Sequence, residues 1–234
     1  MKKALPRGLI VSCQALKDEP LYGGDTIPKM ALAAELGGAV GIRANTVKDI
    51  NAIYKKLDGR LPIIGLIKKN YSDSPVYITP TLKEVKALIK SKCCAIALDA
   101  TNRIRHNGIK LAELIKYIRE NSDKQIVADI ASYEEALEAE SLGVDYISTT
   151  LCGYTEDTKD VKLPNIDLCR KLKENIKHAI VIAEGGIHAY EELDEILSLG
   201  IDRVIIGGAI TRPKCITSNY VQIIQNNRAF NQVV

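Results

Sequence analysis

Residues 179–212 read AIVIAEGGIHAYEELDEILSLGIDRVIIGGAITR. Two short runs rich in β-branched residues flank an amphipathic stretch, which is the pattern of a βαβ unit with parallel strands. Each run ends at a Gly-Gly pair, first at 185–186 and then at 207–208. Glycine allows backbone N–H groups to crowd around a ligand. If these runs are the last two strands of a (β/α)8 barrel, the turns lie where such barrels commonly bind phosphate.

Six further apolar runs precede this unit and alternate with helical patterns. The runs lie at residues 9–13, 39–42, 62–67, 94–98, 125–128 and 146–148; the helical patterns lie at 26–37, 47–57, 82–90, 110–121, 132–143 and 165–177. This alternation predicts an α/β fold. Eight strands in 234 residues favour a closed (β/α)8 (TIM) barrel over a flavodoxin-like open sheet, which needs about five strands. No linker divides the chain, so we expect one domain over residues 1–234.

The composition argues against several classes of protein. The net charge is only +3, and the chain has one Phe and no Trp, so we expect neither a nucleic acid nor a membrane surface as partner. The six cysteines form no CxxC pair, which is typical of buried thiols in a reducing compartment. The three histidines are isolated, so we expect no zinc or other metal site.

The N-terminal segment carries Lys2 and Lys3 before a short apolar run that ends at Cys13. This order faintly resembles a lipoprotein signal, but the apolar run is too short, and Pro6 and Arg7 interrupt it. No apolar run in the sequence has the length of a transmembrane helix. We therefore expect a cytoplasmic protein.

Polar side chains stand at the carboxyl ends of the predicted strands, where barrel enzymes place their active sites. In chain order these ends carry Gln14, Arg43, Lys68, Asp99, Asp129, Thr149, Glu184 and Gly207. Seven of the eight residues are polar, and each of them terminates an apolar run. Scattered surface residues would not fall so regularly on one rim.

Strand alternation divides these residues into two groups. Lys68 and Glu184 share a face with large apolar side chains of their own strands. Both would sit on a packed apolar floor, where burial of a charge moves its pKa. Arg43 and Asp99 share a face with alanine or glycine, which leaves space for a charged side chain to fold inward.

Each candidate also has an ordinary structural explanation. A lysine after a strand is usually solvated, and Glu184 would serve as a favourable charge at a helix N-terminus. Arg43 suits a phosphate or a carboxylate, including that of a neighbouring acidic residue. Asp129 would orient Lys68, bind a hydroxyl or form an ion pair. Arg212 precedes a proline that marks a helix start, and a helix start is itself an anion site. Their place on the rim favours a functional role.

A phosphate site at the glycine turns would hold a small phosphorylated ligand with its other end near Lys68 and Glu184. Abstraction of a proton next to a carbonyl needs a base, a proton donor and positive charge near the enolate oxygen. Lys68 can act as the base if burial and Arg43 lower its pKa, and Glu184 can move a proton at a hydroxyl or carbonyl oxygen. Alternatively, Lys68 forms a Schiff base, as lysines do in barrel aldolases. The residues alone do not separate these two chemistries.

Ordered motifs cover nearly the whole chain. They are LIVSCQA (9–15), IRA (42–44), PIIGLIKKNY (62–71), YITPT (77–81), ALDAT (97–101), ADI (128–130), STTLCGYT (148–155), AEG (183–185) and GGAITRP (207–213). Together they resemble the N-acetylmannosamine-6-phosphate 2-epimerases, and the number of motifs in one order makes the resemblance highly specific.

The resemblance implies a (β/α)8 barrel that interconverts N-acetylmannosamine 6-phosphate and N-acetylglucosamine 6-phosphate in sialic acid breakdown. It implies proton exchange at C2 without a metal or cofactor, with Lys68 and Glu184 as the catalytic residues. The implied contacts to sugar and phosphate are Gln14, Arg43, Asp129, Gly185, Gly207, Gly208 and Arg212. Cys152 departs from the family pattern, which usually has serine there, next to the loop at residue 153.

Two other functions compete with the epimerase. One is another phosphate-binding barrel enzyme, either a sugar-phosphate isomerase or a Schiff-base aldolase. The other is a non-catalytic phosphosugar sensor, which would need the glycine turns and Arg212 but no Lys–Glu pair on the same rim. The sequence leaves the oligomeric state open, with a homodimer among the possible assemblies, and the tail after Tyr220 contains no motif that we can place.

Overall fold

Eight parallel strands form a closed barrel in the computed structural model, which describes residues 5–227. They are β1 (Gly8–Cys13), β2 (Gly41–Asn45), β3 (Ile63–Leu66), β4 (Ala95–Asp99), β5 (Gln125–Asp129), β6 (Tyr146–Ser148), β7 (Ile180–Glu184) and β8 (Arg203–Ile206). Each strand pairs with the next in sequence, and β8 pairs with β1 to close the ring. The predicted barrel is therefore confirmed.

Helices follow the strands around the outside. They are α1 (Thr26–Leu36), α2 (Val47–Lys56), α3 (Leu82–Ile89), α4 (Leu111–Asn121), α5 (Tyr133–Ser141), α6 (Ile166–Asn175), α7 (Tyr190–Ser198), α8 (Gly208–Thr211) and α9 (Pro213–Asn226). A capping box begins α5, because Ser132 Oγ accepts the Glu135 N–H and the Glu135 carboxylate accepts the Ser132 N–H. Within residues 5–227, no helix combines the length and apolar character needed to cross a bilayer.

The core has two layers, as strand alternation requires. One face of each strand packs against the helices, and the other face fills the barrel interior. Ile64, Leu66 and Ile182 belong to the interior layer, and Ile180 packs against it. These residues form the apolar floor that was expected beneath the side chains at positions 68 and 184.

Leu5 packs at the end of the barrel opposite the strand carboxyl ends. The buried Tyr146 hydroxyl accepts the Leu5 N–H at 2.7 Å and the Gln125 side-chain amide at 3.1 Å. The Arg203 guanidinium donates to the Leu5 carbonyl at 2.8 Å. Leu5, which precedes β1, is thus part of the barrel's packing.

The long loop after β3 is more regular than its aperiodic sequence indicates. Antiparallel bridges join Lys68 to Ile78 and Tyr71 to Ser74, so the loop folds back on itself as a hairpin. The Tyr71 ring stacks on His106 with ring centroids 4.0 Å apart, which fastens the hairpin to the loop after β4. This hairpin carries Lys68 at its base.

Candidate active site

A cavity of about 420 Å³ opens at the carboxyl ends of the strands. Its walls include every residue predicted to form the site except one: Gln14, Arg43, Lys68, Glu184, Gly185, Gly207, Gly208 and Arg212. The exception is Asp129, which is fully buried behind the wall. The barrel therefore brings the predicted lysine and glutamate, 116 positions apart in the sequence, to one opening.

Lys68 follows β3 and stands on the apolar floor of the barrel. Its backbone N–H donates to the Asn45 side-chain oxygen at 2.9 Å, which fixes the chain where the strand ends. Burial lowers the pKa of the Lys68 amine to about 8, and the nearby charges of Arg43 and Arg212 act in the same direction. Roughly a tenth of this amine is therefore neutral at pH 7, and the neutral form is the one that a general base requires.

Glu184 is the last residue of β7. The Thr149 hydroxyl accepts the Glu184 N–H at 3.0 Å and lies 2.8 Å from the Glu184 carbonyl oxygen, so the backbone at this strand end is held on both sides. Burial raises the pKa of the Glu184 carboxyl, while the Arg43 guanidinium opposes that change. The result is a carboxyl suited to carrying a proton.

Arg43 pairs with Asp129 beneath the cavity. Its two terminal nitrogens donate to the two carboxylate oxygens at 3.1 and 2.6 Å, and the arginine side chain is only 1% exposed. The Arg43 Nε lies 3.4 Å from Glu184 Oε1. Of the roles considered for Asp129, this geometry favours the ion pair, and it does not support direct contact with a ligand.

The two glycine turns form the part of the wall expected to bind phosphate. Gly185 and Gly186 have φ values of +104° and +70°, which side-chain-bearing residues rarely adopt. A Cβ on Gly186 would lie 2.2 Å from the Leu163 Cβ, so the turn also depends on close packing. Gly207 precedes α8, and a Cβ there would lie 3.1 Å from the Ser12 Cβ.

Arg212 lies directly before α9, whose first residue is Pro213, as its sequence context predicts. The Arg212 Nε is 3.3 Å from Glu19 Oε1, and the arginine side chain is one-third exposed. The cavity therefore has a cationic side chain beside the amino end of a helix, and each of these features favours the binding of an anion. No cluster of three or more His, Cys, Asp or Glu side chains suitable for a metal lies within the described range.

The residues at the end of β6 divide between the backbone of β7 and the cavity. Thr149 turns toward the backbone of β7, while Ser148 and Thr150 point toward Glu184. Thr150 lines the cavity, as does Tyr77 from the hairpin after β3. Alternation contains the signal for Thr150, because Tyr146 faces the interior and residues 148 and 150 share its face. Asp99, at the end of β4, is buried and bonded to Arg103 and Thr101.

Comparison with known proteins identifies relatives over nearly the full chain. A family model described as "Putative N-acetylmannosamine-6-phosphate epimerase" matches residues 27–226. A protein from Clostridioides difficile (strain 630), named "Putative N-acetylmannosamine-6-phosphate 2-epimerase", is 50% identical over 219 residues, which cover 94% of this chain and 96% of that protein. A protein of the same name from Staphylococcus aureus (strain Newman) is 50% identical over 225 residues, with coverage of 95% and 100%.

Solved structures agree with these matches. The N-acetylmannosamine-6-phosphate 2-epimerase from Clostridium perfringens superimposes with a TM-score of 0.89 at 47% identity, covering 94% of each chain. A thiamine phosphate pyrophosphorylase from Pyrococcus furiosus, 20% identical with a TM-score of 0.59, shares the fold alone. On the family match, the close relatives and the shared barrel, this chain belongs to the N-acetylmannosamine-6-phosphate 2-epimerase family.

Proposed function

We propose that the protein interconverts N-acetylmannosamine 6-phosphate and N-acetylglucosamine 6-phosphate by proton exchange at C2, as a step in sialic acid breakdown. The observation that carries this proposal is the opening of Lys68 and Glu184 onto one cavity whose wall also contains the glycine turns and Arg212. Membership of the epimerase family supports the same substrate pair.

Lys68 acts as the base in this proposal. The hydrogen at C2 is acidic when C1 is an aldehyde, because the resulting negative charge is delocalised onto the carbonyl oxygen. The neutral Lys68 amine removes this hydrogen, and return of a proton to the opposite face of C2 gives the epimer. A pKa of about 8 supports this role, since both protonation states of the amine are accessible near neutral pH.

Glu184 and Arg43 act on the C1 oxygen of the substrate. Glu184, whose pKa burial raises, moves a proton at the C1 oxygen. The Arg43 guanidinium supplies positive charge near the developing enolate. Asp129 acts through Arg43 in this proposal, because its carboxylate holds the arginine in place instead of touching the sugar.

The far end of the substrate binds at the glycine turns. We assign the phosphate to the backbone N–H groups around Gly185, Gly207 and Gly208, with Arg212 as the cationic partner. Gln14 would contact the sugar: its side-chain amide donates to Ser12 Oγ at 2.8 Å, and its buried oxygen has no hydrogen-bond partner among the described residues. An acceptor without a partner at the cavity wall suits a donor group on the ligand.

Incubation with N-acetylmannosamine 6-phosphate in deuterated water tests the proposal. We expect deuterium to appear at C2 of both sugar phosphates as the epimer forms. Nuclear magnetic resonance detects this incorporation. A phosphosugar that binds without acquiring deuterium would leave the sensor as the better explanation. Trapping of a substrate–Lys68 adduct with borohydride would favour Schiff-base chemistry and defeat proton abstraction by a free amine.

We also propose that two copies of the chain associate through α9. This helix has no buried residue, and its exposed side chains include Tyr220, Val221, Ile223 and Ile224. Covering this apolar face would remove it from water. Light scattering on the parent chain and on Ile223→Asp tests the proposal. We expect a dimer for the parent chain and a monomer for the variant. A monomeric parent chain would contradict the proposal.

A reducing cytoplasm is the proposed location of the enzyme. All six cysteines are free thiols, and four of them are buried. A protein that works among thiol-reducing systems is expected to keep its cysteines in this form. Fractionation of cells that produce the protein tests the location, and recovery outside the cytoplasmic fraction would contradict it.

A further inference from the structure

Thr150 lies at the centre of a cluster of side-chain oxygens on the floor of the cavity. Its hydroxyl oxygen is 2.8 Å from Asp129 Oδ1, 2.8 Å from Glu184 Oε2 and 2.9 Å from Ser148 Oγ. A fourth contact, 3.2 Å long, joins Ser148 Oγ to Glu184 Oε2. Every one of these contacts is between two oxygens, so each needs a hydrogen to be attractive.

The number of available protons limits how these contacts are made. Thr150 and Ser148 have one hydroxyl proton each, and ionised carboxylates have none. Two protons cannot serve the three contacts of 2.8 to 2.9 Å, all of which fall within the usual range for O–H···O bonds. One proton on a carboxyl supplies the third bond, and only the longest contact then lacks a hydrogen.

The guanidinium of Arg43 decides which carboxyl carries that proton. Both oxygens of Asp129 accept an N–H from Arg43, so this carboxylate stays ionised. Glu184 receives no such bond: the nearest arginine atom is Nε at 3.4 Å, which has no hydrogen-bond partner within the described range. The added proton therefore belongs on Glu184.

We propose that Thr150 is a positioning residue that holds the Glu184 carboxyl in both of its protonation states: it accepts the acid proton while donating its own hydroxyl proton to Asp129, and it donates to the carboxylate once that proton has left. This inference rests on the proposed function and extends it, because it explains how the carboxyl keeps its position while it gives up and recovers a proton. No role for Thr150 follows from its position on the rim alone.

The same arrangement lets Glu184 give up its proton and recover it. When the sugar binds, the Glu184 O–H turns from Thr150 to the C1 oxygen and transfers its proton, and the Thr150 hydroxyl rotates from Asp129 to donate to the new carboxylate. Asp129 loses that one hydrogen bond but keeps both bonds from Arg43. Thr150 thus exchanges one hydrogen bond for another, and the proton returns to Glu184 when the C1 oxygen releases it.

Protonation of Glu184 also affects Lys68. The groups that face Glu184 are Arg43 from β2, Lys68 after β3 and Asp129 from β5, while Tyr77 from the hairpin faces the Arg43–Asp129 pair. A negative charge on Glu184 favours the protonated amine of Lys68, whereas a neutral Glu184 does not. The proton on Glu184 therefore helps to maintain a neutral amine on Lys68 in the same cavity.

Infrared spectroscopy of the ligand-free protein tests where the proton lies. We expect a carboxylic acid C=O band at neutral pH that disappears in Glu184→Gln, keeps its frequency in Thr150→Ser and moves to higher frequency in Thr150→Val, because the acid loses its hydrogen-bond partner. Thr150→Ala provides a second hydroxyl-free variant if valine disturbs folding. A parent protein without the band, a band that survives Glu184→Gln, or a band at the parent frequency in both hydroxyl-free variants would overturn the inference.

Kinetics of the same variants separate positioning from a purely structural role. For Thr150→Val we expect kcat to fall about tenfold or more with KM nearly unchanged. The pH dependence contributed by Glu184 should move to higher pH, because a hydroxyl that donates to the carboxylate favours the ionised form and valine does not. Thr150→Ser should keep the parent profile, and a parent profile with full kcat in Thr150→Val would overturn the inference. The infrared result needs no turnover, so failure of the epimerase function alone would leave it standing.

Discussion

At the scale of single residues, the cavity holds ionisable groups whose charged forms are disfavoured by burial and by neighbouring like charges. Lys68 lies near Arg43 and Arg212, and Glu184 is buried beside Asp129. Burial moves the pKa of each catalytic candidate toward its neutral form, downward for the amine and upward for the carboxyl. Two neutral groups can exchange protons with a substrate near neutral pH, whereas an ordinary lysine and glutamate would be locked in their charged forms.

The pKa of Lys68 predicts how activity depends on pH. Only the neutral amine removes the C2 proton, so kcat/KM should rise about tenfold per pH unit at low pH and level off near the pKa of about 8. Initial rates across pH check this, with substrate phosphate ionisation measured separately. A profile that is flat from about pH 6 to 9 would contradict a lysine base.

At the scale of secondary-structure elements, strand ends and the segments after them position the reacting groups. Asn45, the last residue of β2, accepts the Lys68 N–H and so ties two strand ends together. The hairpin that follows is bridged within itself and stacked on the next loop. The Lys68 backbone is therefore fixed before any substrate binds.

Asn45→Ala should weaken both stability and catalysis. The Lys68 N–H would lose its acceptor, at an expected cost of about 1–3 kcal/mol in the free energy of unfolding. We expect kcat to fall more than KM rises, because the amine loses its position. Asn51→Ala is the matched control, since Asn51 accepts the Lys92 N–H at 3.0 Å on the surface. Urea denaturation and steady-state kinetics check both variants; an equal kcat in the two would refute the positioning role.

The turn after β7 gives a second test at this scale. Gly186 and Gly143 both have positive φ, but only Gly186 has an atom in the way of a Cβ, at Leu163. Gly143→Ala should cost about 1–2 kcal/mol in stability from backbone strain alone. Gly186→Ala should cost about 2–5 kcal/mol and weaken phosphosugar binding, because Leu163 must move. Thermal denaturation and calorimetric titration check this, and similar losses in the two variants would show that the close packing is unimportant.

Local pattern accounts for much of the fold and site, but not for contacts between distant segments. Apolar runs ending in polar residues predicted the barrel and placed Lys68 and Glu184 correctly on its rim. The pairing of Arg43 with Asp129 depends on strands 86 positions apart, which no local pattern reports. The hairpin after Lys68 was missed for the same reason, since its order depends on a stack between Tyr71 and His106.

At the scale of the whole molecule, the two ends of the barrel have different tasks. The cavity and its charged groups lie at the carboxyl ends of the strands, while the opposite end is closed by Leu5, Tyr146 and Arg203. In barrels of this kind, chemistry resides at the first end and stability at the other. Changes at the closed end should therefore affect folding without affecting catalysis.

Tyr146→Phe tests that separation. The substitution removes the hydroxyl that accepts from Leu5 and Gln125, so we expect a loss of about 1–3 kcal/mol in the free energy of unfolding. The values of kcat and KM should stay close to those of the parent. Tyr22→Phe, at a half-exposed tyrosine, should change stability by less than about 0.5 kcal/mol. A large fall in kcat for Tyr146→Phe would show that the two ends are not independent.

The account depends most on the Lys68 amine as the group that exchanges hydrogen at C2. The decisive measurement is deuterium incorporation at C2 of N-acetylmannosamine 6-phosphate by Lys68→Ala, with binding of the same phosphosugar followed by calorimetry. We expect binding to persist, because the glycine turns and Arg212 are untouched, and incorporation to be lost. Incorporation at the parent rate by Lys68→Ala would contradict the account.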